Sequence, residues 1–391
     1  MNLILLDAAG APLGVLPPYD VPVPWWQEVA DVVDGARSTY GVEVQVLRLL
    51  HGDQPAPPGG HVTYLAQVST VPEVALEPIP AGLVYMPADP RRTPYAQPGG
   101  PEVSTRWAIE SLATLGTVGA NAVQQRTWNL SGIWRLDVAG APVAWLKQVP
   151  PFFAQEATVL SLVAGVAPGL VPPLLAAGTE GRILLAHVPG EDGYGAGAAV
   201  CGALAAEFHP VQAHFAGRIE EMLAAGMPDA RLTVEQFARV AEPYLETIDG
   251  LGELIENLPG RLAEVAACGL PDTLVHGDLH PGNTRVDGDV LVIMDWGDAV
   301  VGHPAYDILR LTEALPAADA DVLIAEWVER WRSTTPGSDP AQAIELMRPI
   351  AELRSAVIYS DFLANIETSE RPYHEADVPA HLTAAAAAAK R

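Results

Sequence analysis

Residues 274–296 read LVHGDLHPGNTRVDGDVLVIMDW, and the fold is decided there. The stretch sets an Asp, an Asn and a second Asp into two short turns joined by a strand pair. Asp278 stands in His276-Gly277-Asp278, Asn283 in Pro281-Gly282-Asn283, and Asp295 directly after the apolar run 290–294. An apolar, β-branched run reads as a buried strand, so Asp295 falls where that strand leaves the core. Three oxygen-bearing side chains then converge from one loop and one strand end. Such ligands suit Mg²⁺, which takes one or two protein oxygens and completes its octahedron with phosphate oxygens and water.

Composition narrows the class. A chain of 391 residues has room for two or three compact units and a large core. No stretch reaches the roughly 18 charge-free apolar residues that crossing a bilayer requires. The start, MNLILLDAAG, lacks a basic n-region and places Asp7 early, so it reads as a first strand and the expected location is cytoplasmic. Cys201 and Cys268 are too few for a disulfide framework and read as small core residues. A net charge of −26 argues against a nucleic-acid partner, because phosphate contacts need Lys and Arg. The charge is compatible with a cationic substrate and equally with plain solubility. No membrane partner is expected.

Cations are written almost entirely as Arg. The only two lysines are Lys147 and Lys390, so Lys147 is the one lysine in the body of the chain. It lies in the strand-like segment APVAWLKQV (residues 141–149). A compact ammonium on a flexible stem does a job there that a planar fork does less well.

The order His-Gly-Asp, Pro-Gly-Asn, Asp295-Trp296-Gly297 and the continuation 299–307, AVVGHPAYD, closely resembles the aminoglycoside phosphotransferase and choline kinase family of small-molecule kinases. The same roles of catalytic Asp, metal-binding Asn and strand-end Asp occur in protein kinases. The resemblance implies an α+β, bilobal protein kinase-like fold with a β-rich N-lobe and a mostly helical C-lobe. It implies that Asp278 accepts or orients a substrate hydroxyl's proton and that Asn283 and Asp295 hold Mg²⁺. ATP or GTP would be the co-substrate. Lys147 would hold its phosphates, with Glu156 at the start of the next helix as the partner of that lysine. The turn 129–132 would lie over the phosphates, with Ser131 and Gly132 offering N–H groups and a hydroxyl, although an ordinary hairpin turn reads the same. Ala186 to Val188 would read the adenine edge through their backbone. Asp298 is a candidate substrate contact, Asp307 would brace the catalytic loop, and His276 and His280 would shape it.

Four segments are expected. Residues 1–77 read as a small α/β N-terminal domain, with strands at 3–6, 12–16, 42–49 and 61–68 and a helix at 25–40. It is faintly similar to a Nudix-type fold but has no metal box, so no hydrolase activity is expected there. Residues 78–101 read as a Pro-rich linker, 102–190 as the N-lobe and its connection, and 191–391 as the helical C-lobe. C-lobe helices are expected near 195–225, 233–257, 304–316, 318–333 and 340–368, with a helical or frayed tail at 384–389.

The expected function is Mg²⁺- and nucleotide-dependent phosphoryl transfer to a hydroxyl of a small molecule. An aminoglycoside, amino sugar or other amine-bearing alcohol such as choline would suit an acidic C-lobe; sugars, macrolides and homoserine are also used by relatives. The alternatives are a silent pseudokinase acting as a binding module and a kinase of protein hydroxyls. The second lacks an Ala-Pro-Glu activation signature.

Overall fold

The first strand pair forms because Asp7 closes its turn: the carboxylate accepts the N–H groups of Ala9 (2.9 Å) and Ala11 (2.8 Å). In this computed structural model residues 1–22, 25–54, 60–288 and 290–390 are described. The chain divides into a unit of Met1–Ala154, Leu174–His187 and Leu363–His374 and a second of Gln155–Pro173, Val188–Phe362 and Glu375–Arg391. Arg391, the last residue of the expected C-lobe, lies outside the described residues.

The first unit begins with β1 (Asn2–Leu6), β2 (Pro12–Leu16), α1 (Ala30–Tyr40), β3 (Gln45–Gly52) and β4 (Val62–Gln67). They form one sheet in the order β2-β1-β4-β3, in which β1 and β4 are parallel. Leu3 and Leu5 face one core with Val32, Val33 and Ala36 of α1, while Ile4 and Leu6 face another with Leu47 and Leu65. Both faces of the strand are covered, which explains its unbroken apolar sequence. Helix α1 starts at Ala30, later than the expected position 25, and ends at Gly41. There a φ of +68° lets Gly41 N–H reach Arg37 O and Val42 N–H reach Ala36 O.

The helix α2 (Gly100–Thr114) precedes a five-stranded antiparallel sheet of β5 (Asn121–Trp128), β6 (Ser131–Val138), β7 (Ala141–Gln148), β8 (Leu174–Ala177) and β9 (Arg182–Ala186), in the order β5-β6-β7-β9-β8. The two sheets of this unit are sewn together. The buried Gln124 amide on β5 donates to Val46 O (2.7 Å) and accepts from Val46 N (2.8 Å), and Trp134 Nε1 donates to Gln45 Oε1 (3.1 Å). The Pro-rich segment 78–101 is partly ordered by its own core contact: Tyr95 is buried and its hydroxyl donates to Trp128 O at 2.8 Å. Residues 363–374 also belong to this unit. Their Glu367 pairs with Arg92 at 2.9 Å, and Tyr373 OH accepts Gly52 N–H at 2.7 Å.

The second unit is mostly helical. It contains α3 (Glu156–Val166), α4 (Ala198–Phe215), α5 (Ile219–Ala224), α6 (Val234–Ala241), α7 (Leu251–Ala267), α8 (Ala305–Thr312), α9 (Ala317–Thr334), α10 (Pro340–Asn365) up to Phe362, and α11 (Asp377–Ala389). Short strands β10 (Glu191–Asp192), β11 (Thr273–Val275), β12 (Thr284–Asp287), β13 (Val290–Ile293) and β14 (Val300–Gly302) pair as β10-β12-β13 and β11-β14. Two expected helices divide. The one near 233–257 breaks between α6 and α7, where Pro243 cannot donate to the helical ladder and Gly250 takes φ +82°. The one near 195–225 breaks at Gly217, at φ +76°. Helix α11 includes the alanine run. Cys201 and Cys268 are free and buried. No described helix is long and apolar enough to cross a membrane.

Candidate active site

Within the second unit, β11 delivers the chain into the loop that carries Asp278. Gly277 follows at φ +90°, and a Cβ there would lie 2.2 Å from Asp298 O, so only glycine fits. The buried Asp307 on α8 accepts the N–H groups of His276 and Gly277, each at 3.0 Å, and the Gln212 amide at 2.9 Å. These bonds fix the peptides that present Asp278. Burial lifts the Asp307 carboxyl to about 6, and the backbone N–H groups of Gly277 and His276 pull against that rise.

His276 is buried against Trp296 (ring centroids 4.6 Å apart), with Nε2 2.9 Å from Met294 O. A bond of that length to a carbonyl places the ring proton on Nε2. Burial lowers its pKa, so the ring is neutral. His280 Nδ1 accepts Gly282 N–H at 3.1 Å, which leaves Nε2–H directed at Asp278 Oδ2, 3.4 Å away. Both histidines therefore hold loop geometry.

Asp278 itself is partly buried. Burial pushes its carboxyl up, but the His280 hydrogen bond and the Arg310 charge outweigh this and hold it well below the usual carboxylate range. Arg310 Nε donates to Asp278 Oδ1 at 2.8 Å, and its other arm reaches Glu313 at 2.7 Å. Asn283 turns its Nδ2 toward Asp278 O (3.0 Å) and Oδ2 (3.2 Å). Its own Oδ1 is left as the atom available to a cation. Asp295 lies next to it, because Met294 N–H donates to Asn283 O at 2.8 Å. Asp295 is exposed and takes φ +57°, a left-handed conformation that costs about 1–2 kcal/mol for a non-glycine residue. Such strain concentrates at functional positions.

This donor set fits Mg²⁺. An amide and a carboxylate stand on backbone segments joined by one hydrogen bond, from Met294 N–H to Asn283 O. Among the described residues no group of three His, Cys, Asp or Glu is placed to hold a metal. A Mg²⁺ that draws most of its ligands from phosphate and water needs no such group.

The other expected site residues divide between the units. In the second, the buried Glu156 accepts Trp296 N–H at 3.3 Å, and Gln155 Nε2 donates to Gly297 O at 2.5 Å, so the start of α3 is tied to the segment after Asp295. Val188 and Asp298 also lie there, both partly buried. In the first unit, Lys147 is buried on β7, paired with Ile133 and Ile183. Ala186 ends β9, and the next N–H, that of His187, is used by Val143 O at 3.0 Å.

The turn between β5 and β6 is held from several sides. Ser131 Oγ accepts the Trp128 indole N–H at 2.9 Å, Asn129 N–H donates to Glu370 at 3.0 Å, and Asn129 Oδ1 accepts Glu367 N–H at 2.6 Å. A Cβ on Gly132 would meet the Trp134 ring at 2.8 Å. Glu370 is fully buried, and burial raises its carboxyl to about 8.

Sequence reasoning missed Arg310, Gln212 and Glu370. Arg310 stands three residues after Asp307, on the same helical face, and that spacing was a usable signal. Nothing local marks Glu370, whose partner Asn129 is far away in sequence.

The fold and this loop define a phosphotransferase. A model of the phosphotransferase enzyme family matches residues 144–345, more than half of the chain, and the chain belongs to that family. By that membership it is a phosphotransferase. Among solved structures, a macrolide 2'-phosphotransferase from Brachybacterium faecium is similar at 20% identity and a TM-score of 0.51, covering 71% of this chain and 98% of that one. An ethanolamine kinase from Plasmodium vivax is similar at 11% identity and 0.51, covering 73% and 89%. The GDP complex of aminoglycoside 2'-phosphotransferase-IIIa is similar at 14% identity and 0.50, covering 71% and 98%. No curated protein matches the sequence significantly.

Proposed function

We propose that the chain transfers the γ-phosphate of ATP or GTP, with Mg²⁺, to a hydroxyl of a small molecule, with Asp278 as the residue that receives the hydroxyl proton. The observation that carries this reading is the loop itself: Asp278 is braced from behind by Asp307 and faces Asn283, which in turn is tied to the strand end at Asp295. The acceptor oxygen attacks the γ-phosphorus as its proton passes to Asp278, the bond to the β-phosphate oxygen breaks, and the nucleoside diphosphate leaves. Asp278 is held ionised and so starts the reaction as a hydrogen-bond acceptor that orients the hydroxyl. Asn283 Oδ1 and the Asp295 carboxylate would hold Mg²⁺. When bound, the ion offsets charge on the phosphates.

Lys147 takes the α- and β-phosphates, with Glu156 fixing its direction. The Ser131 hydroxyl and the Gly132 backbone N–H would bind the phosphates. Ala186 and Val188 read the base, and Asp298 meets the acceptor. Positioning and electrostatics supply most of the rate in such transfers. The similar GDP complex is the reason to test GTP beside ATP.

The test is turnover of ATP and GTP with Mg²⁺ against small alcohols, for wild type and Asp278→Asn. Acceptor-stimulated release of the nucleoside diphosphate should fall by about 10²–10⁴-fold in the variant, the range for losing a general base. Equal stimulated rates in the two proteins would refute the assignment.

A further inference from the structure

Beside the catalytic loop, and wholly within the second unit, lies a cavity of about 570 Å³ lined by Gly277, Tyr306, Arg310, Arg348, Arg354 and parts of α9 and α11. Its charges can be accounted for one by one. Arg310 is shared between Asp278 (2.8 Å) and Glu313 (2.7 Å). Arg348 pairs with Glu345 at 3.3 Å, and His381 pairs with Glu352 at 2.8 Å. Asp321 lies exposed near the start of α9, where water screens it.

Arg354 is different. Its guanidinium carbon stands 4.8 Å from the Tyr306 ring centroid, and Nη1 donates to Gly277 O at 3.2 Å. Among the described residues it makes no ion pair. A guanidinium has five N–H donors, and one is used here. Nη2 lies 3.1 Å from the position a Cβ on Gly277 would take, so the cation stands beside the peptide that leads into Asp278. Asp307, behind that peptide, already feels its charge.

We propose that Arg354 is the specificity-determining residue of the acceptor site and that it takes a carboxylate, so the acceptor is a hydroxy acid whose hydroxyl faces Asp278. This rests on the phosphotransfer reading above. Three effects favour an acid. A partly buried guanidinium with unused donors binds a carboxylate with two parallel charge-assisted hydrogen bonds. An acceptor ammonium at the same place would meet Arg354 and Arg310 together, and a like charge at close range is repelled. The Tyr306 ring and the Gly277 carbonyl hold the fork in position beforehand, which lowers the ordering cost of binding. The overall acidity of the chain points the other way, but it is spread over the surface; the head group is decided by the charge it lies against in the cavity, and there Arg354 has donors to spare.

The experiment compares acceptors that differ only in that head group. For six carbons these are gluconate, sorbitol and glucamine; for three carbons, glycerate, glycerol and 3-amino-1,2-propanediol. Binding to the full chain is measured by calorimetry with nucleotide and Mg²⁺ present, and release of the nucleoside diphosphate is measured in parallel. Expected is a preference of at least tenfold in Kd for the acid over the neutral alcohol at one or both lengths. Arg354→Gln should abolish it, so that acid and neutral alcohol bind alike, and Arg354→Lys should restore part of it. A tighter amine, equal binding of all three heads at both lengths, no binding of the acid at either length, or a preference that survives Arg354→Gln overturns the inference. If Arg354→Gln does not fold, the wild-type ranking decides together with Arg354→Lys, which should bind the acid less tightly than wild type. Acid bound through Arg354 without any diphosphate release would mean that the phosphotransfer reading has failed and the anion site stands.

Discussion

Replacing Asp307 by Asn tests whether the catalytic loop owes its shape to one buried carboxylate. Asp307 accepts three hydrogen bonds, from His276 N and Gly277 N at 3.0 Å and from Gln212 Nε2 at 2.9 Å. Asparagine keeps one oxygen and turns an NH₂ toward groups that are themselves donors. A hydrogen bond to a charged group contributes about 1.5–3 kcal/mol, and a buried donor left unsatisfied costs about 1–3 kcal/mol. Against this stands the cost of keeping the carboxylate buried, which shows as its pKa of about 6. The net loss worked from these terms is about 2 kcal/mol at pH 7.

The loss should be larger at low pH. A carboxyl whose folded pKa is raised contributes stability that is fully present below the unfolded value of 3.8 and fades as pH rises toward 6. The asparagine variant lacks this contribution, so the gap between the two proteins narrows from pH 4 to pH 6. Activity should suffer more than stability, because a displacement of about 1 Å at the reacting group costs about 10²-fold in rate. Urea unfolding followed by tryptophan fluorescence gives the first quantity, and kcat with a stimulating acceptor gives the second. If Asp307→Asn unfolds at the wild-type urea midpoint and keeps kcat within twofold, the brace does not support the loop and the reasoning fails.

Two further outcomes follow from neighbouring groups. Arg310→Gln removes a cation that helps hold the Asp278 carboxyl down, so the acid limb of the pH–rate profile should move to higher pH; an unmoved limb would show that His280 alone sets it. Glu370 is raised from 4.5 to about 8, so its contribution to stability is fully present below 4.5 and is lost as pH rises through 8. Glu370→Gln, which copies the protonated form, should flatten that fall in a series of Tm measurements from pH 5 to 9, and a slope equal to wild type would contradict the assignment.

The stretch 274–296 was legible because its chemistry is local. A tight Gly turn, a capped Pro-Gly-Asn turn and an apolar strand each announce themselves within a few residues, and the side chains they present follow from the backbone they impose. The five-stranded sheet was legible only in part, from the strand-like segment that carries Lys147 and the turn before it. Long-range partners were not. The Arg310–Asp278 pair joins a helix to a loop, and its only signal was a three-residue spacing from Asp307. Asn129 carries no mark that Glu367 and Glu370 will grip it, because that contact depends on where the chain returns after α10. The break between α6 and α7 was read as one helix because amphipathic spacing continues across Pro243 and Gly250, and periodicity cannot see a lost hydrogen bond.

The return of residues 363–374 to the first unit has a consequence for how the chain can be made. That unit is assembled from three separate stretches, the last lying near the end of the sequence. No single contiguous fragment reproduces it, and a growing chain cannot finish it until residue 374 has left the ribosome. The turn at Asn129 must therefore wait for residue 370, 241 positions further on, before it has both glutamate contacts. Contacts of such sequence separation form slowly. The turn at residues 129–132 is thus completed only long after its own residues have been synthesised.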